Sequence, residues 1–372
     1  MRRACALAAR GIPTAAPNPV VGCVILASDG RIVGEGWHDR PGGPHAEVAA
    51  LHIAGAAARG GTAVVTLEPC RHTGRTGPCT RALLDAGVTR VVYAVADPSA
   101  LAGGGGAELA AAGIQVESGL LAEEAETVNA AWLFVTRTGR PVVTWKYAAT
   151  LDGRAAAVDG TSRWITGPEA RSEVHRLRGA HDAVLAGVGT VLADDAALTA
   201  RGPDGRLLDR QPLRVVVDSR GRTPATARVR DASAPTWVAT AEEVGSCGGR
   251  VDLHGLLRGL VNRGVLSAFL EGGPTLAAAF LRVGLVDRVV GYVAPALLGS
   301  GPAVLGDLGV GTIAGIARLE LDGVARVGPD VRLVLRTRPD APPLPPHVLD
   351  SPESLRAEQT PTRSQQHRPD QE

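Results

Sequence analysis

The sequence predicts an α/β protein built from two domains and a short tail. Strand-like runs rich in β-branched residues alternate with helix-like runs in both halves of the chain, a pattern typical of layered α/β folds. The 372 residues, 45% of them hydrophobic, suffice for two ordinary cores. We place the junction near the Thr-Gly-Arg-Pro segment at 138–141, which gives predicted domains at 1–140 and 141–338. Residues 339–372 are rich in proline and polar residues, and we expect them to be disordered.

The first domain alternates between helical and extended patterns. Caps and breakers such as proline before a helix and glycine after it set the predicted boundaries. β-Branched apolar runs mark the strands. In chain order we predict a helix ending at residue 11, a helix over 46–51, a strand over 62–67, a helix over 80–86, a strand over 91–96, a glycine-rich loop over 103–106 and a helix over 123–135.

One histidine and two cysteines lie at the ends of these elements. His45 precedes the helix over 46–51, Cys70 follows the strand over 62–67, and Cys79 opens the next helix. One imidazole and two thiolates with an open fourth position are typical of a catalytic zinc site, whereas a structural site needs four protein ligands. Zinc lowers the pKa of a bound water to roughly 7, and the Glu47 carboxylate can move that water's protons. This pattern predicts hydrolytic deamination.

Composition excludes several other classes of function. The 39 basic and 38 acidic residues leave a net charge of +1, so no field favours nucleic acid or a membrane surface as a partner. The apolar run near the start stops at Arg10, too soon for a signal peptide core. No stretch approaches a membrane span, and five cysteines do not make a disulfide framework. We therefore expect a cytoplasmic enzyme with a small-molecule substrate.

The second domain carries two glycine-rich turns after predicted strands. The strand over 142–146 opens the domain, the strand over 183–186 runs into Gly-Val-Gly-Thr, and the strand over 267–270 runs into Glu-Gly-Gly-Pro-Thr and a helix over 276–283. Glycines let the backbone approach a ligand, and a helix start offers free N–H groups to a pyrophosphate. Each turn alone could equally be an ordinary one, and neither has the spacing of a Rossmann fingerprint.

The zinc motif resembles that of the zinc-dependent cytidine-deaminase superfamily, in which H-x-E is followed by P-C-x-x-C. Here eight residues separate the two cysteines. The sequence of these residues, RHTGRTGP at 71–78, is similar to the corresponding segment in the bifunctional deaminase/reductase family of riboflavin biosynthesis. The PNPVVG run at 17–22 and the Asp-Pro at 97–98 agree with that family. The resemblance implies that Asn18 contacts a pyrimidine and that the ribose phosphate is held by His72, Arg75 and Thr76. The alternative for this segment is a polar surface loop.

The second half resembles the dihydrofolate-reductase-like reductase domain of the same family. The matching segments are KYAATLDGR at 146–154, TSRWIT at 161–166, GVGT at 187–190, LADD at 192–195, Asp-Ser at 218–219 and EGGP at 271–274. Together the two resemblances cover residues 1–338. They imply a cytidine-deaminase-like α/β/α domain followed by a dihydrofolate-reductase-like α/β domain.

The resemblance also implies which reductase residues bind ligands. Pyrimidine contacts would come from Ser162, Arg178, Leu198, Arg201 and Glu271, with Lys146 near the ribose. NADPH contacts would come from Ala148, Trp164, Thr190, Asp194, Ser219, Gly273, Pro274, Thr275, Leu276, Ala277, Ala278 and Ala279. By charge alone, Lys146 could equally be a surface residue. Arg220, beside Ser219, is a candidate for the 2′-phosphate because arginine can accommodate that group.

The implied reaction sequence uses Zn²⁺ and NADPH. A zinc hydrolase would deaminate 2,5-diamino-6-ribosylamino-4(3H)-pyrimidinone 5′-phosphate to 5-amino-6-(5-phosphoribosylamino)uracil, and an NADP-dependent oxidoreductase would then reduce the ribosyl group to ribityl. The family also implies a homo-oligomer, a dimer or a tetramer. One alternative is a nucleoside or RNA-base deaminase with an unrelated second domain, although the lack of a basic surplus counts against RNA. Another is a zinc-stabilised binding module whose second domain senses a dinucleotide.

Overall fold

The computed structural model describes residues 1–73 and 77–337 of the chain. Within those residues the strands form a five-stranded sheet, an eight-stranded sheet and a two-stranded hairpin. The α/β class predicted from the sequence is confirmed. The predicted tail at 339–372 and two predicted phosphate contacts, Arg75 and Thr76, lie outside the described residues.

The first sheet is sandwiched between helices. Its strands are β1 (Gly22–Leu26), β2 (Ile32–Trp37), β3 (Thr62–Leu67), β4 (Arg90–Val95) and β5 (Gln115–Ser118), in the spatial order β2-β1-β3-β4-β5. Its helices are α1 (Arg2–Ala8), α2 (Ala46–Ala54), α3 (Cys79–Asp85), α4 (Gly105–Ala111), α5 (Ala122–Val128) and α6 (Ala130–Thr138). Side chains of α2, α3 and α4 pack on one face of the sheet, and those of α1 and α5 pack on the other. This arrangement covers both faces of the buried strand β3.

Two predicted elements of this domain need correction. The helix expected over 123–135 is two helices, because the chain leaves helical geometry at Asn129, whose Oδ1 accepts a hydrogen bond from the Val20 backbone 3.1 Å away. The glycine run expected as a loop over 103–106 already contains the start of α4. A Cβ on Gly105 would lie 1.8 Å from the Pro69 carbonyl oxygen. Glycine is therefore required there for packing and not for loop flexibility.

The second sheet is mostly parallel. Its strands are β6 (Val142–Thr150), β7 (Ala183–Gly187), β8 (Leu213–Val217), β9 (Thr236–Ala239), β12 (Ser267–Leu270), β13 (Arg288–Ala294), β14 (Glu320–Val327) and β15 (Asp330–Arg336), in the order β14-β15-β13-β6-β12-β7-β8-β9. β10 (Ser246–Cys247) and β11 (Arg250–Val251) form the separate hairpin. The helices are α7 (Pro168–Ala180), α8 (Val188–Asp194), α9 (Ala241–Val244), α10 (Leu253–Val261) and α11 (Pro274–Arg282).

The topology of this sheet brings several strand ends together. Strands β6, β12, β7 and β8 are adjacent and parallel, so their carboxyl ends meet at one edge. In open α/β sheets this edge is where ligands bind. Helices α10 and α11 pack on one face and α7 and α8 on the other. In the described part of the chain, every helix is too short or too polar to cross a membrane.

His181, at the end of α7, makes stability depend on pH. Its Nδ1 lies 2.7 Å from the Leu177 carbonyl oxygen, its Nε2 lies 3.3 Å from Thr144 Oγ1, and burial lowers its pKa to about 4. An unfolded histidine titrates near 6.5. Between these values the unfolded chain binds a proton that the folded chain does not. The free energy of unfolding should therefore fall by roughly 3 kcal/mol as pH drops from about 6.5 to 4. Urea unfolding of wild type and His181→Gln at both pH values measures this, and equal pH slopes would contradict it.

Candidate active sites

The proposed zinc ligands converge in the first domain. His45 lies at the N-cap of α2, Cys79 is the first residue of α3, and Cys70 follows the end of β3. His45 Nδ1 lies 3.1 Å from Cys79 Sγ and 3.5 Å from Cys70 Sγ, and the three ligand atoms lie within 4.8 Å of one another. One nitrogen and two sulfur donors from three elements fit a zinc ion that keeps a fourth position for a reactant.

The electrostatics of this cluster favour a cation. The hydrogen bond from Cys79, together with the neighbouring His45, holds the pKa of Cys70 well below its usual range, at about 4. The same hydrogen bond raises the pKa of the Cys79 thiol. Glu47 is 3% exposed in the first turn of α2, and burial raises its pKa to about 6. A carboxylate and a thiolate therefore share one buried region, where a cation would offset their charge.

A cavity of about 530 Å³ opens beside the cluster. It is lined by His45, Glu47 and Cys70, and also by two predicted substrate contacts, Asn18 and His72. This places the predicted pyrimidine contact and the proposed proton carrier in one cavity of suitable size for a small ligand.

His38 also lines this cavity, and the sequence interpretation gave it no role. Its Nδ1 lies 3.1 Å from the Pro44 carbonyl oxygen, which can only accept, so Nδ1 carries the proton. Its Nε2 then accepts from Asn18 Nδ2 at 3.0 Å. Burial lowers the pKa of His38 and favours this neutral form. The contact fixes the Asn18 amide, so that its Oδ1 is free to accept from a ligand amino group.

Glu68 organises the opposite wall of the cavity. Its buried carboxylate accepts hydrogen bonds from the backbone N–H groups of Asp97 at 3.1 Å, Gly104 at 3.2 Å and Gly106 at 2.8 Å. The loop between Asp97 and Gly104 contributes several lining residues. Glutamate in the Glu-Pro-Cys motif therefore positions this loop, a role that the sequence interpretation did not assign.

The second domain has a cavity of about 780 Å³ at the carboxyl ends of β7, β8 and β12. Eight of the predicted cofactor residues line it: Thr190, Asp194, Ser219, Gly273, Pro274, Thr275, Leu276 and Ala279. The other four lie elsewhere. Ala277 and Ala278 lie on the buried face of α11, Ala148 packs against the core under α7, and the Trp164 ring is 69% exposed with the Arg171 guanidinium 4.4 Å from its centre.

The residues of this cavity fit a dinucleotide. The N-terminus of α11 at Gly273 has no side-chain cap. Pro274 carries no N–H and the Leu276 N–H donates to the Gly273 carbonyl oxygen at 3.1 Å, so the Thr275 N–H remains for an anion. A Cβ on Gly189 would meet no atom within 4 Å and would extend into open space. Gly189 therefore borders the open part of the cavity, and no side chain at this position reduces the volume available to a pyrophosphate.

Three predicted substrate residues form a largely buried ionic cluster beside β12, with side-chain exposures of 17% for Lys146, 18% for Arg178 and 8% for Glu271. The Arg178 guanidinium donates two hydrogen bonds to the Glu271 carboxylate, one at 2.9 Å, and Lys146 Nζ lies 3.9 Å from the same carboxylate. Burial alone would raise the pKa of Glu271, but Arg178 and Lys146 outweigh it and hold that pKa below its usual range. Burial lowers the pKa of Lys146. The cluster is thus a compact, charged site.

The remaining predicted substrate residues lie outside this cluster. Leu198 is buried in the core beneath α8, with a positive φ of 52°. Arg201 donates to the Gly205 carbonyl oxygen at 2.8 Å, and Ser162 is half-buried in the segment before α7. The structure therefore brings Lys146, Arg178 and Glu271 together, and Arg178 also donates to the Thr199 carbonyl oxygen at 3.1 Å, which joins the segment of Leu198 and Arg201 to the cluster.

Comparison with known proteins agrees with this geometry in both halves. The model of the cytidine and deoxycytidylate deaminase zinc-binding region matches residues 1–95, and the model of the RibD C-terminal domain matches residues 141–333. The riboflavin biosynthesis protein RibD of Mycobacterium tuberculosis is 49% identical over 326 residues, 87% of this chain and 93% of that protein. RibD of Escherichia coli is 45% identical over 361 residues, 90% and 98% of the two chains.

Solved structures agree as well. Acinetobacter baumannii RibD superposes with a TM-score of 0.79 at 39% identity, over 91% of this chain and 97% of that one. A Thermotoga maritima diaminohydroxyphosphoribosylaminopyrimidine deaminase/5-amino-6-(5-phosphoribosylamino)uracil reductase gives a TM-score of 0.78 at 35% identity, with the same coverage. These matches confirm the predicted resemblance and contradict the alternative of an unrelated second domain. The chain belongs to the RibD family of riboflavin biosynthesis proteins, with a deaminase-type zinc-binding domain followed by a RibD reductase domain.

Proposed function

We propose that this chain catalyses two successive steps of riboflavin biosynthesis. It deaminates 2,5-diamino-6-ribosylamino-4(3H)-pyrimidinone 5′-phosphate to 5-amino-6-(5-phosphoribosylamino)uracil, and it then reduces the ribosyl group to ribityl with NADPH. The observation that carries the proposal is that one chain holds both a His45, Cys70 and Cys79 centre beside Glu47 and a dinucleotide-sized cavity beside a charged cluster. The Thermotoga maritima relative is described by both activities.

In the first reaction the protein supplies the metal ligands, a proton carrier and a pyrimidine contact. A zinc ion held by His45, Cys70 and Cys79 would activate water at neutral pH. Glu47 accepts the proton of the attacking water and returns it to the leaving amino group, so that the C–N bond breaks and ammonia departs. Asn18, fixed by His38, accepts from the substrate, and His72 faces its phosphate.

In the second reaction the charged cluster positions the ribose. NADPH supplies the hydride for C1 of the opened ribose. Lys146 donates a proton to the ring oxygen as the ring opens, because burial lowers the pKa of its ammonium group. Glu271 holds Lys146 and Arg178 in place. Ser162, Leu198 and Arg201 complete the proposed substrate contacts, and Ala148, Trp164, Ala277 and Ala278 remain proposed contributors to the NADPH site.

A coupled assay tests the proposal directly. The pyrimidine phosphate is supplied with NADPH, and ammonia release and NADPH consumption are followed together. Both should occur, with ammonia appearing first. Ammonia without NADPH consumption would remove the second activity from the proposal.

We also propose that the enzyme is a cytoplasmic homo-oligomer, a dimer or a tetramer. None of the five cysteines, all of which lie among the described residues, is in a disulfide, which supports a reducing compartment. The outer strand β14 exposes apolar side chains, Leu321 by 56% and Val324 by 59%, which supports contact with another chain.

Replacing one zinc ligand should remove the metal. In Cys79→Ser the hydroxyl is a far poorer zinc ligand than a thiolate. Loss of a residue that only hydrogen-bonds to a metal ligand lowers metal affinity by up to about 100-fold, so loss of a direct ligand should lower zinc affinity by at least that much. Zinc content per chain, measured by atomic absorption after dialysis, checks this. Cys247→Ser, at an exposed cysteine, is the control and should keep its zinc. Stoichiometric zinc in Cys79→Ser would contradict the proposed ligand set.

A further inference from the structure

A cofactor site that selects NADPH must recognise the 2′-phosphate of its adenosine ribose. We propose that Arg220 and Arg250, on two neighbouring segments at the edge of the second cavity, bind this phosphate together. Arg220 was a candidate from the sequence alone, whereas no sequence pattern pointed to Arg250. This inference rests on the proposed function and names the residues that determine its cofactor specificity.

The order of the strands places the adenosine ribose near β8. The glycine-rich turn after β12 leads into α11, whose start fits a pyrophosphate, and the glycine-rich turn after β7 lines the same cavity. The next strand outward is β8, which pairs with β7. Neighbouring strands lie about 4.8 Å apart, so a dinucleotide that follows this edge brings its ribose to the segment after β8. Ser219 and Arg220 lie in that segment and line the cavity.

A backbone contact brings Arg250 to the same point. The Val251 N–H donates to Ser219 Oγ at 3.1 Å, which ties the β10–β11 hairpin to the end of β8. Arg250 is the preceding residue and also lines the cavity. The two guanidinium groups therefore project from two segments that are joined through Ser219.

These two arginines differ from the other cations of the cavity. Arg222 lies 3.8 Å from the buried Asp218 carboxylate, and Arg282 donates to the Asp307 carbonyl oxygen at 3.2 Å. Among the residues that the structure describes, the side chains of Arg220 and Arg250 have no hydrogen bond or ion pair, and both are exposed. Two unpaired guanidinium forks supply the charge and the donors that a phosphate dianion requires.

Binding measurements on the full chain test this assignment without any turnover. Arg220→Ala and Arg250→Ala are titrated calorimetrically with NADPH, NADH and 2′,5′-ADP. Each variant should bind NADPH and 2′,5′-ADP about tenfold more weakly, as expected for the loss of one charge-assisted contact. NADH affinity should stay within about twofold, which also shows that the fold is intact. Arg230→Ala, at an exposed arginine of the same domain that does not line the cavity, is the control and should change none of the three.

The outcomes separate this inference from the proposed function. A wild-type chain that binds neither NADPH nor NADH would remove the reductase half of the proposed function and this inference with it. A wild-type preference for NADPH that survives in both variants would overturn the inference alone. An equal loss in Arg230→Ala would also overturn it, since the preference would then reflect the overall positive charge of the domain. The preference should shrink as salt is added, because exposed charges are screened.

Discussion

Glu47→Gln is expected to slow deamination by roughly 10²–10⁴-fold, the usual contribution of a positioned acid–base group. Glu47 lies two residues after His45 in the first turn of α2, is 3% exposed and lines the cavity beside the zinc ligands. Glutamine keeps its size but cannot accept the proton of the attacking water. Zinc should remain bound, because Glu47 is not one of the three converging ligands.

Three measurements on the Glu47→Gln protein check this expectation: ammonia release, zinc content and NADPH-dependent reduction of the deaminated substrate. Only ammonia release should change, since reduction takes place in the second domain. Glu123→Gln, an exposed carboxylate on α5, is the matched control and should deaminate at the wild-type rate. If Glu47→Gln still deaminates normally, Glu47 does not carry the proton.

The sequence was informative where function depends on short local motifs. His45, Cys70 and Cys79 follow from residues at element ends, and the structure brings all three together. His38 was missed because its role depends on contacts with Asn18 and Pro44, which only the folded chain makes. The early start of α4 was missed because glycine is needed at position 105 to let the backbone approach that of Pro69 closely. Composition does not reveal such a contact.

The reductase site shows the other limit of sequence reasoning. Arg178 and Glu271 are 93 residues apart in the chain, and their pairing depends on the crossover that places β12 between β6 and β7. No local pattern encodes such a contact, so these residues came from family resemblance alone. The resemblance also named Ala277 and Ala278, which lie on the buried face of α11. When a whole helical segment is assigned to a ligand site by family resemblance, the assignment includes the residues that face the core as well as those that face the ligand.

Glu271→Gln should lower the free energy of unfolding of the second domain by about 3–5 kcal/mol, the usual cost of removing one partner from a buried ion pair. The change leaves Arg178 and Lys146 as neighbouring, largely buried cations with no carboxylate between them. Reduction should be lost as well, while deamination should persist under native conditions. Urea unfolding at neutral pH measures the stability, and Glu320→Gln, in the exposed pair with Arg336, is the control and should shift it by at most about 1 kcal/mol.

The pH dependence and a second substitution identify the cause of this loss. The pKa of Glu271 lies below its usual range, so its stabilising effect is present above the unfolded value near 4.3 and disappears as pH falls through the folded value. The wild type should therefore approach the variant in stability under acid. Adding Lys146→Met to Glu271→Gln removes one of the two cations that repel each other. The double variant should therefore recover part of the lost stability. Failure to recover any of it would mean that packing around Glu271, and not charge, stabilises this site.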